Sequence, residues 1–280
     1  MIVIVTDSTA CITKQEAQHL GVIYAPMTYT IDGKAFTEHF AEDNGAFAAL
    51  IREAKELHTS QPAIDCYEHT FSALRRSGFE VLCLTISSRL SGTFSNASLC
   101  AKEIGPEGIR VVDTRTTAIG LGFLAQEARR LIQSGYGLEE TAQAITRMRG
   151  QVKTLFSVGD MTPLRRSGRL GPVRQSVGAI LNIRPLLTCR DGAVVACGAA
   201  RGRSDQLRSL LRAVPENARE IAVQFIEEEE AAKQLAKQLE EKCATPVTLR
   251  RLGPVLGIHL GLDILGVMWL SPPNTGKKNA

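Results

Sequence analysis

Residues 1–20 read MIVIVTDSTACITKQEAQHL. The apolar run from Ile2 to Val5 stops at the polar group Thr6-Asp7-Ser8-Thr9, as a strand running into a loop does. Thr13 precedes Glu16 by three residues, the spacing at which the two side chains close a capping box at a helix start. The stretch predicts strand, polar loop, helix. The alternation returns downstream, where the apolar runs VLCLTIS from Val81 and IRVVDT from Ile109 are followed by helical patterns over 91–104 and 116–133. Strands that alternate with helices imply a parallel or mixed sheet, so the fold class is α/β.

Between these units, VIYAPMTYTI and KAFTEHF flank Asp32-Gly33, a dipeptide that tolerates positive φ and marks a hairpin. An amphipathic helix is predicted from Asn44 to Leu57, then the loop HTSQP, where Pro62 pushes the preceding residues out of helical geometry. The second half has a different texture. A helix over Leu138 to Met148 leads to TLFSVGD and a basic turn, LRRSGRLGPVR. IRPLLTC and AVVACGAAR then flank Asp191-Gly192, a second hairpin signal, and EIAVQFI, a charged helix from Glu227 to Lys242 and TPVTLRRLG give another strand, helix, strand passage. A boundary near Gln151 divides the chain into an N-terminal α/β domain, 1–150, and a C-terminal α/β domain, 151–280. The closing PPNTGKKNA reads as a frayed, solvated end.

Composition removes several function classes. The chain has 280 residues, 44% hydrophobic and 22% charged, enough for one large domain or two. A net charge of +4, scattered and not gathered into a block, argues against nucleic acid as partner. No apolar run approaches the roughly 20 residues that span a bilayer, and the start lacks a secretory pattern, so a cytoplasmic protein is expected. The seven cysteines are oddly spaced without a CxxC pair, and most sit in apolar stretches as structural thiols. The five histidines show no HExxH, so no metal is expected. GxxxxGK[ST], GxGxxG and GxSxG are all absent, which leaves the chain poorly equipped to hold ATP, a dinucleotide or an acyl-enzyme, and no cofactor is expected.

Four polar loops follow strand-like runs: Thr6–Thr9, Thr59–Gln61, Ser87–Thr93 and Asp113–Thr117. In open α/β sheets such loops surround the ligand crevice. Their hydroxyls donate without carrying charge, which suits an anion's oxygens better than acid–base or nucleophilic chemistry. In SSRLSGTFSNAS, Gly92 admits close backbone approach and Ser91 can cap the next helix; this is either a plain N-cap or a carboxylate or phosphate site. TSQP is either a turn before a helix or part of that site. His259, between the glycines of GPVLGIHLG, is either an ordinary core or surface histidine or one that reaches a crevice. Arg165, Arg166 and Arg169, with Arg201 and Arg203 further on, are either solvated or suited to phosphate or an acidic partner surface. Ser91 with His259 and Asp7 or Asp113 also leaves a serine hydrolase or transferase open, against which the missing nucleophile elbow counts.

TDST, TSQP, SSRLSGT, DT followed by GLG, SGRLG and GPVLGIHLG occur in the order and rough spacing of the DegV family, which the chain resembles over nearly its whole length. The resemblance implies two α/β domains enclosing one long-chain fatty acid, the carboxylate at their junction and the tail in an apolar tunnel. It implies that Thr59 and Ser91 hydrogen-bond the carboxylate, that backbone amides around Gly92 assist, and that His259 completes the head-group site. It implies a lipid-presenting partner of an ATP-binding fatty acid kinase subunit, not an enzyme in itself, with Arg169 and Arg201 facing that partner and an acyltransferase at the membrane as a later recipient. A sensor of lipids or small carboxylates is the alternative. Ala63 stands where the family more often has a second serine, and Leu260 and Leu262-Asp263 replace its usual threonine and Pro-Gly.

Overall fold

The computed structural model describes residues 1–171 and 182–272. The first half runs β1 (Ile2–Asp7), α1 (Lys14–Leu20), β2 (Val22–Ala25), β3 (Thr28–Ile31), β4 (Lys34–Thr37), α2 (Phe47–Glu53) and β5 (Leu57–Ser60). It continues with α3 (Ile64–Arg76), β6 (Glu80–Thr85), α4 (Thr93–Ile104), β7 (Ile109–Asp113), α5 (Ile119–Gln133) and α6 (Leu138–Met148). Then follow β8 (Val152–Val158), α7 (Thr162–Ser167), β9 (Ile183–Arg190), β10 (Ala193–Arg201), α8 (Gly202–Ala213) and β11 (Glu220–Phe225). The last elements are α9 (Glu229–Cys243), β12 (Val247–Arg251), α10 (Pro254–Leu260) and β13 (Ile264–Leu270).

The α/β class stands. A four-stranded sheet has the order β2-β1-β6-β7, a six-stranded sheet β10-β9-β8-β13-β11-β12, and a three-stranded sheet β4-β3-β5. The first is parallel throughout. Its strands are covered on both faces, because side chains alternate. Ile2, Ile4, Leu82 and Leu84 pack with Leu121, Leu124 and Ile145 of α5 and α6, while Val5, Val81 and Cys83 pack with Tyr67, Phe71 and Ala97 of α3 and α4.

The six-stranded sheet is antiparallel except between β11 and β12. Period two again sorts its faces. Val223, Leu265, Val267 and Trp269 meet Leu235 and Leu239 of α9 and Leu210 of α8, whereas Ala222, Phe156, Ile264 and Met268 turn to the core shared with the first sheet. Helix α5 lies in that shared core: a Cβ on Gly120 would come within 2.8 Å of Val152 on β8 and 3.1 Å of Met268 on β13. The GLG of its first turn therefore lets helix and sheet close up.

The capping box forms as read: Glu16 N–H donates to Thr13 Oγ1 and Thr13 N–H to Glu16 Oε2. Both Asp-Gly hairpins form, with Asp32 and Asp191 at φ 48°. Other expectations need correction. VIYAPMTYTI is two strands in two sheets, β2 pairing with β1 and β3 with β4 and β5; Pro26 separates them. The helix read over 44–57 is only Phe47–Glu53, because Leu57 opens β5, whose turn is held by Asp32 Oδ1 accepting from Lys55 and Glu56 N–H. The basic turn begins as the short helix α7, closed by Gly168 in the left-handed region. Cys11, Cys83, Cys100 and Cys243 are buried as expected, but Cys66 and Cys189 are half-buried and Cys197 is exposed. Residues 172–181 of the basic segment and 273–280 of the tail lie outside the described residues. Among the described residues, no helix is long and apolar enough to cross a membrane.

Candidate functional site

One face of the six-stranded sheet floors a slot that opens at its mouth. The loops after β6 and β7, strand β5 and helix α10 form the walls. Leu90, Leu164, Val255, Leu256, Ile264 and Met268 make much of the lining aliphatic, and Thr59, Ser91, Arg169 and His259 bring polar groups to it.

These polar groups converge from separate parts of the chain. Strand β5 alternates half-buried and exposed side chains, so Thr59 faces inward while His58 and Ser60 face out. Thr59 Oγ1 lies 2.8 Å from His259 Nε2 on the last turn of α10. A Cβ on Gly92 would stand 3.0 Å from Gln61 Nε2, so the turn carrying Ser91 runs directly against the segment carrying Thr59. Gly92, not Ser91, occupies the N-cap position of α4, which corrects the expected cap; Ser91 Oγ instead accepts from Thr93 N–H at 3.3 Å and shares a 2.8 Å hydrogen bond with Thr93 Oγ1. Arg169 approaches from beyond α7, its Nε–H donating to the Leu90 carbonyl at 3.3 Å.

Buried polar groups hold this arrangement. Asp7, at the end of β1, accepts from Ile86 N–H at 2.7 Å and from the Thr9 N–H and hydroxyl, fixing the start of the Ser91 turn. Burial pushes its carboxyl up to about 6 despite those donors. Glu38 accepts from Ser8 Oγ–H at 2.6 Å and from Val255 N–H at 3.0 Å, capping the first turn of α10; burial pushes it up to about 7. The Ser87 hydroxyl donates to the Gly192 carbonyl at 2.8 Å, joining the Ser91 turn to the β9–β10 hairpin.

His259 is held down to about 4, first by burial and then by the positive charges of Arg169 and Arg166. The imidazole is neutral at physiological pH. Its Nδ1 is buried and has no hydrogen-bond partner among the described residues. Asp7 is committed to Thr9 and Ile86, and Asp113 to Ser88 and Arg115. Ser91, His259 and a carboxylate are therefore not joined in a proton relay, since the imidazole bonds Thr59 and no acid orients it.

Of the residues singled out in the sequence, Thr59, Ser91 and His259 line one slot and Gly92 adjoins it. Arg169 also lines it, whereas Arg201 is exposed at the end of β10, its N–H bonded to Asp205. Arg165 and Arg166 are exposed on α7. Gln61 and Thr117, which end two of the polar loops read as sharing a site, also line the slot, and so does Gln224, which sequence reasoning passed over; a glutamine inside the apolar run IAVQFI was the signal available for it.

The slot is thus apolar over much of its lining, with hydroxyls, a neutral imidazole and one arginine among its polar groups, the makeup of a site for a small molecule with an apolar body. The chain belongs to the DegV family: it matches the family described as "Uncharacterised protein, DegV family" over residues 1–272. It is 31% identical over 273 residues to the DegV domain-containing protein of Deinococcus radiodurans, covering 95% of this chain and 97% of that one. Among solved structures, it resembles a DegV family protein from Thermus thermophilus, described by its fatty acid binding, at 29% identity and TM-score 0.83, covering 97% and 99% of the two chains. It also resembles DegV from Bacillus subtilis, described as a fatty acid binding protein, at 26% identity and TM-score 0.86, with the same coverage.

Proposed function

We propose that the protein binds a long-chain fatty acid, its carboxylate between Thr59, Ser91, the amides around Gly92 and His259, and its acyl chain along the slot. In this reading residues 1–150 supply the carboxylate loops and residues 151–280 cover the tail. One observation carries it: the Thr59 and His259 side chains meet at 2.8 Å in the lining of a largely aliphatic slot. The named fatty-acid-binding relatives support the ligand class.

Energies divide the labour. Burying about a dozen methylenes at roughly 0.8 kcal/mol each gives on the order of 10 kcal/mol of gross stabilisation. Much of that is offset by lost freedom on association. The mouth supplies orientation, because each hydrogen bond to a charged group contributes about 1.5–3 kcal/mol. Arg169 adds an opposite charge that the neutral His259 does not.

We further propose that the bound carboxylate is presented to a separate ATP-binding kinase subunit, and that an acyltransferase at the membrane takes the resulting acyl phosphate. This would place the protein in the cytoplasm with transient membrane contact. Support comes from the family resemblance and from exposed basic side chains; Arg201 stands outside the slot and is free to meet a partner. Arg169, the other residue proposed to meet that partner, also lines the slot.

Extraction of the purified protein and mass spectrometry of the extract tests the ligand. A co-purifying fatty acid supports the reading; a slot that neither carries nor takes up any fatty acid ends it. For the partner, Arg201→Glu should lower ATP-dependent phosphorylation of bound fatty acid by an added kinase subunit while leaving fatty acid affinity unchanged. Wild-type protein whose bound lipid no kinase subunit phosphorylates would instead favour a lipid sensor.

A further inference from the structure

Two carboxyls stand directly behind the wall of the slot. Ile86, Val255 and Met27 line it, and one buried cluster holds the backbone N–H of each from behind. Ile86 N–H donates to Asp7 at 2.7 Å and Val255 N–H to Glu38 at 3.0 Å. Met27 N–H donates at 3.0 Å to Ser8 Oγ, whose own hydrogen goes to Glu38 at 2.6 Å. Asp7 and Ser8 are consecutive, so the cluster runs unbroken behind three parts of the wall. Gly253 lets α10 close on it, because a Cβ there would overlap Glu38 Oε1.

The cluster is poor in positive charge. Asp7 is fully buried and Glu38 is 1% exposed, and their donors are backbone N–H groups and hydroxyls, all neutral. Arg250, the cation whose charge reaches neighbouring Cys11, is bonded to Glu16. Burial pushes Asp7 up to about 6 and Glu38 up to about 7, and the Asp7 charge adds to the rise of Glu38. Cys11, Tyr24, Tyr29, Tyr67 and Cys83, the other titratable groups around the pair, are pushed up by burial as well and stay neutral. His259 titrates near 4. Glu38, with Asp7 below it, is thus the part of this region that changes charge near neutral pH.

We propose that head-group binding is proton-linked: a carboxylate entering the slot drives a proton from solvent onto Glu38, and the protein holds fatty acid less tightly as pH rises through neutrality. This rests on the fatty-acid reading above. The coupling is one of like charges across a water-excluded wall, where they are weakly screened, and it requires no contact between ligand and Glu38. Oε1 accepts from Val255 N–H whether or not the carboxyl is ionised, so α10 stays held while the charge changes. Linkage makes the effect reciprocal, since the affinity lost on ionising Glu38 equals the rise in its pKa on binding.

Isothermal titration calorimetry of laurate below its micellar concentration, in buffers of different ionisation enthalpy, reads the protons taken up per ligand. Uptake should be greatest near pH 7, where Glu38 titrates. A rise of about one unit in its pKa would lower laurate affinity about ten-fold between about pH 6 and about pH 8.5. Dodecanol, a chain of the same length without charge, should show neither effect. Glu38→Gln keeps an acceptor for Val255 N–H and cannot ionise, so it should bind laurate with most of the uptake and pH dependence gone. Laurate binding to wild type without proton uptake, equal uptake with dodecanol, or undiminished uptake in Glu38→Gln overturns the linkage and leaves the fatty-acid reading standing. If wild type binds neither laurate nor dodecanol, both are overturned.

Discussion

Thr59→Val is the sharpest perturbation of the head-group site, because it removes one hydroxyl and keeps the β-branched shape suited to strand β5. The Thr59 hydroxyl bonds His259 Nε2 at 2.8 Å, and in the proposed complex it also meets a carboxylate. Two losses follow, and they are separable. In the free protein the neutral hydrogen bond disappears, leaving the half-buried imidazole with both nitrogens unpartnered, at a cost of about 1 kcal/mol in unfolding free energy. In the complex a charge-assisted hydrogen bond disappears as well, about 1.5–3 kcal/mol, which is a roughly 10- to 150-fold rise in Kd. Urea unfolding measures the first, and displacement of a fluorescent fatty acid at neutral pH measures the second. A lowered unfolding midpoint with affinity within two-fold of wild type would show that Thr59 only props His259, and the carboxylate assignment would fail. Ser91→Ala should give a smaller loss, since Ser91 Oγ is shared with Thr93. The double variant should let the head group wander while the tail stays bound.

Glu38→Gln tests the buried cap of α10. Glu38 is raised from 4.5 to about 7, so its contribution to stability is fully present below pH 4.5 and is lost as pH rises through about 7, at most about 3 kcal/mol. The variant, neutral throughout, should lack that fall; unfolding curves that run parallel for both proteins from pH 5 to 8 would contradict this. His259 should stay neutral on NMR titration down to about pH 5, since it is held to about 4. Its pKa should rise both in Arg169→Met, which removes one of the charges depressing it, and on adding fatty acid, whose carboxylate favours the imidazolium; a fall in either case would misplace Arg169 or the ligand. Gly266→Ala should destabilise the fold by about 1–3 kcal/mol in chemical denaturation, because the clash falls on Phe156 Cβ and not on a mobile side-chain end. A neutral effect would mean that β8 and β13 shift apart freely.

The parts of the fold that could be read from the sequence are those with local causes. The capping box at Thr13, both Asp-Gly hairpins and the helix over Leu138–Met148 are each specified by residues within a few positions. What escaped depends on distant partners. ILGVMWL is buried along its whole length between β8 and β11, and a fully apolar run does not reveal by periodicity whether it is strand or helix. Leu57 to Ser60 reads as the end of a helix and a loop until β3 offers it a hydrogen-bonding edge. The candidate site shows the same division. Hydroxyl-rich loops and the family resemblance pointed to Thr59, Ser91 and His259, but that Thr59 meets His259 across 200 positions is a product of the tertiary fold. Arg169 read as either solvated or suited to phosphate or an acidic partner, and that it lines the slot, with its Nε–H on the Leu90 carbonyl, is again a product of the tertiary fold.

Two buried carboxylates beside a ligand site invite an acid–base reading, and their raised pKa values alone would encourage it. Geometry decides otherwise. Asp7 receives three donors and Glu38 two, all from protein groups that must be held in place: the start of the Ser91 turn, the loop after β1 and the first turn of α10. Neither carboxylate lines the slot. Burial raises them because the loops they hold exclude water, and the same exclusion keeps His259 neutral. Charge is thus withdrawn from the ligand cavity and spent behind it, on fixing backbone, while the cavity presents hydroxyls, amides and a single arginine. The raised carboxyls therefore report the burial of a scaffold, and the groups that meet the slot are the Thr59 and Ser91 hydroxyls, the neutral His259 and Arg169.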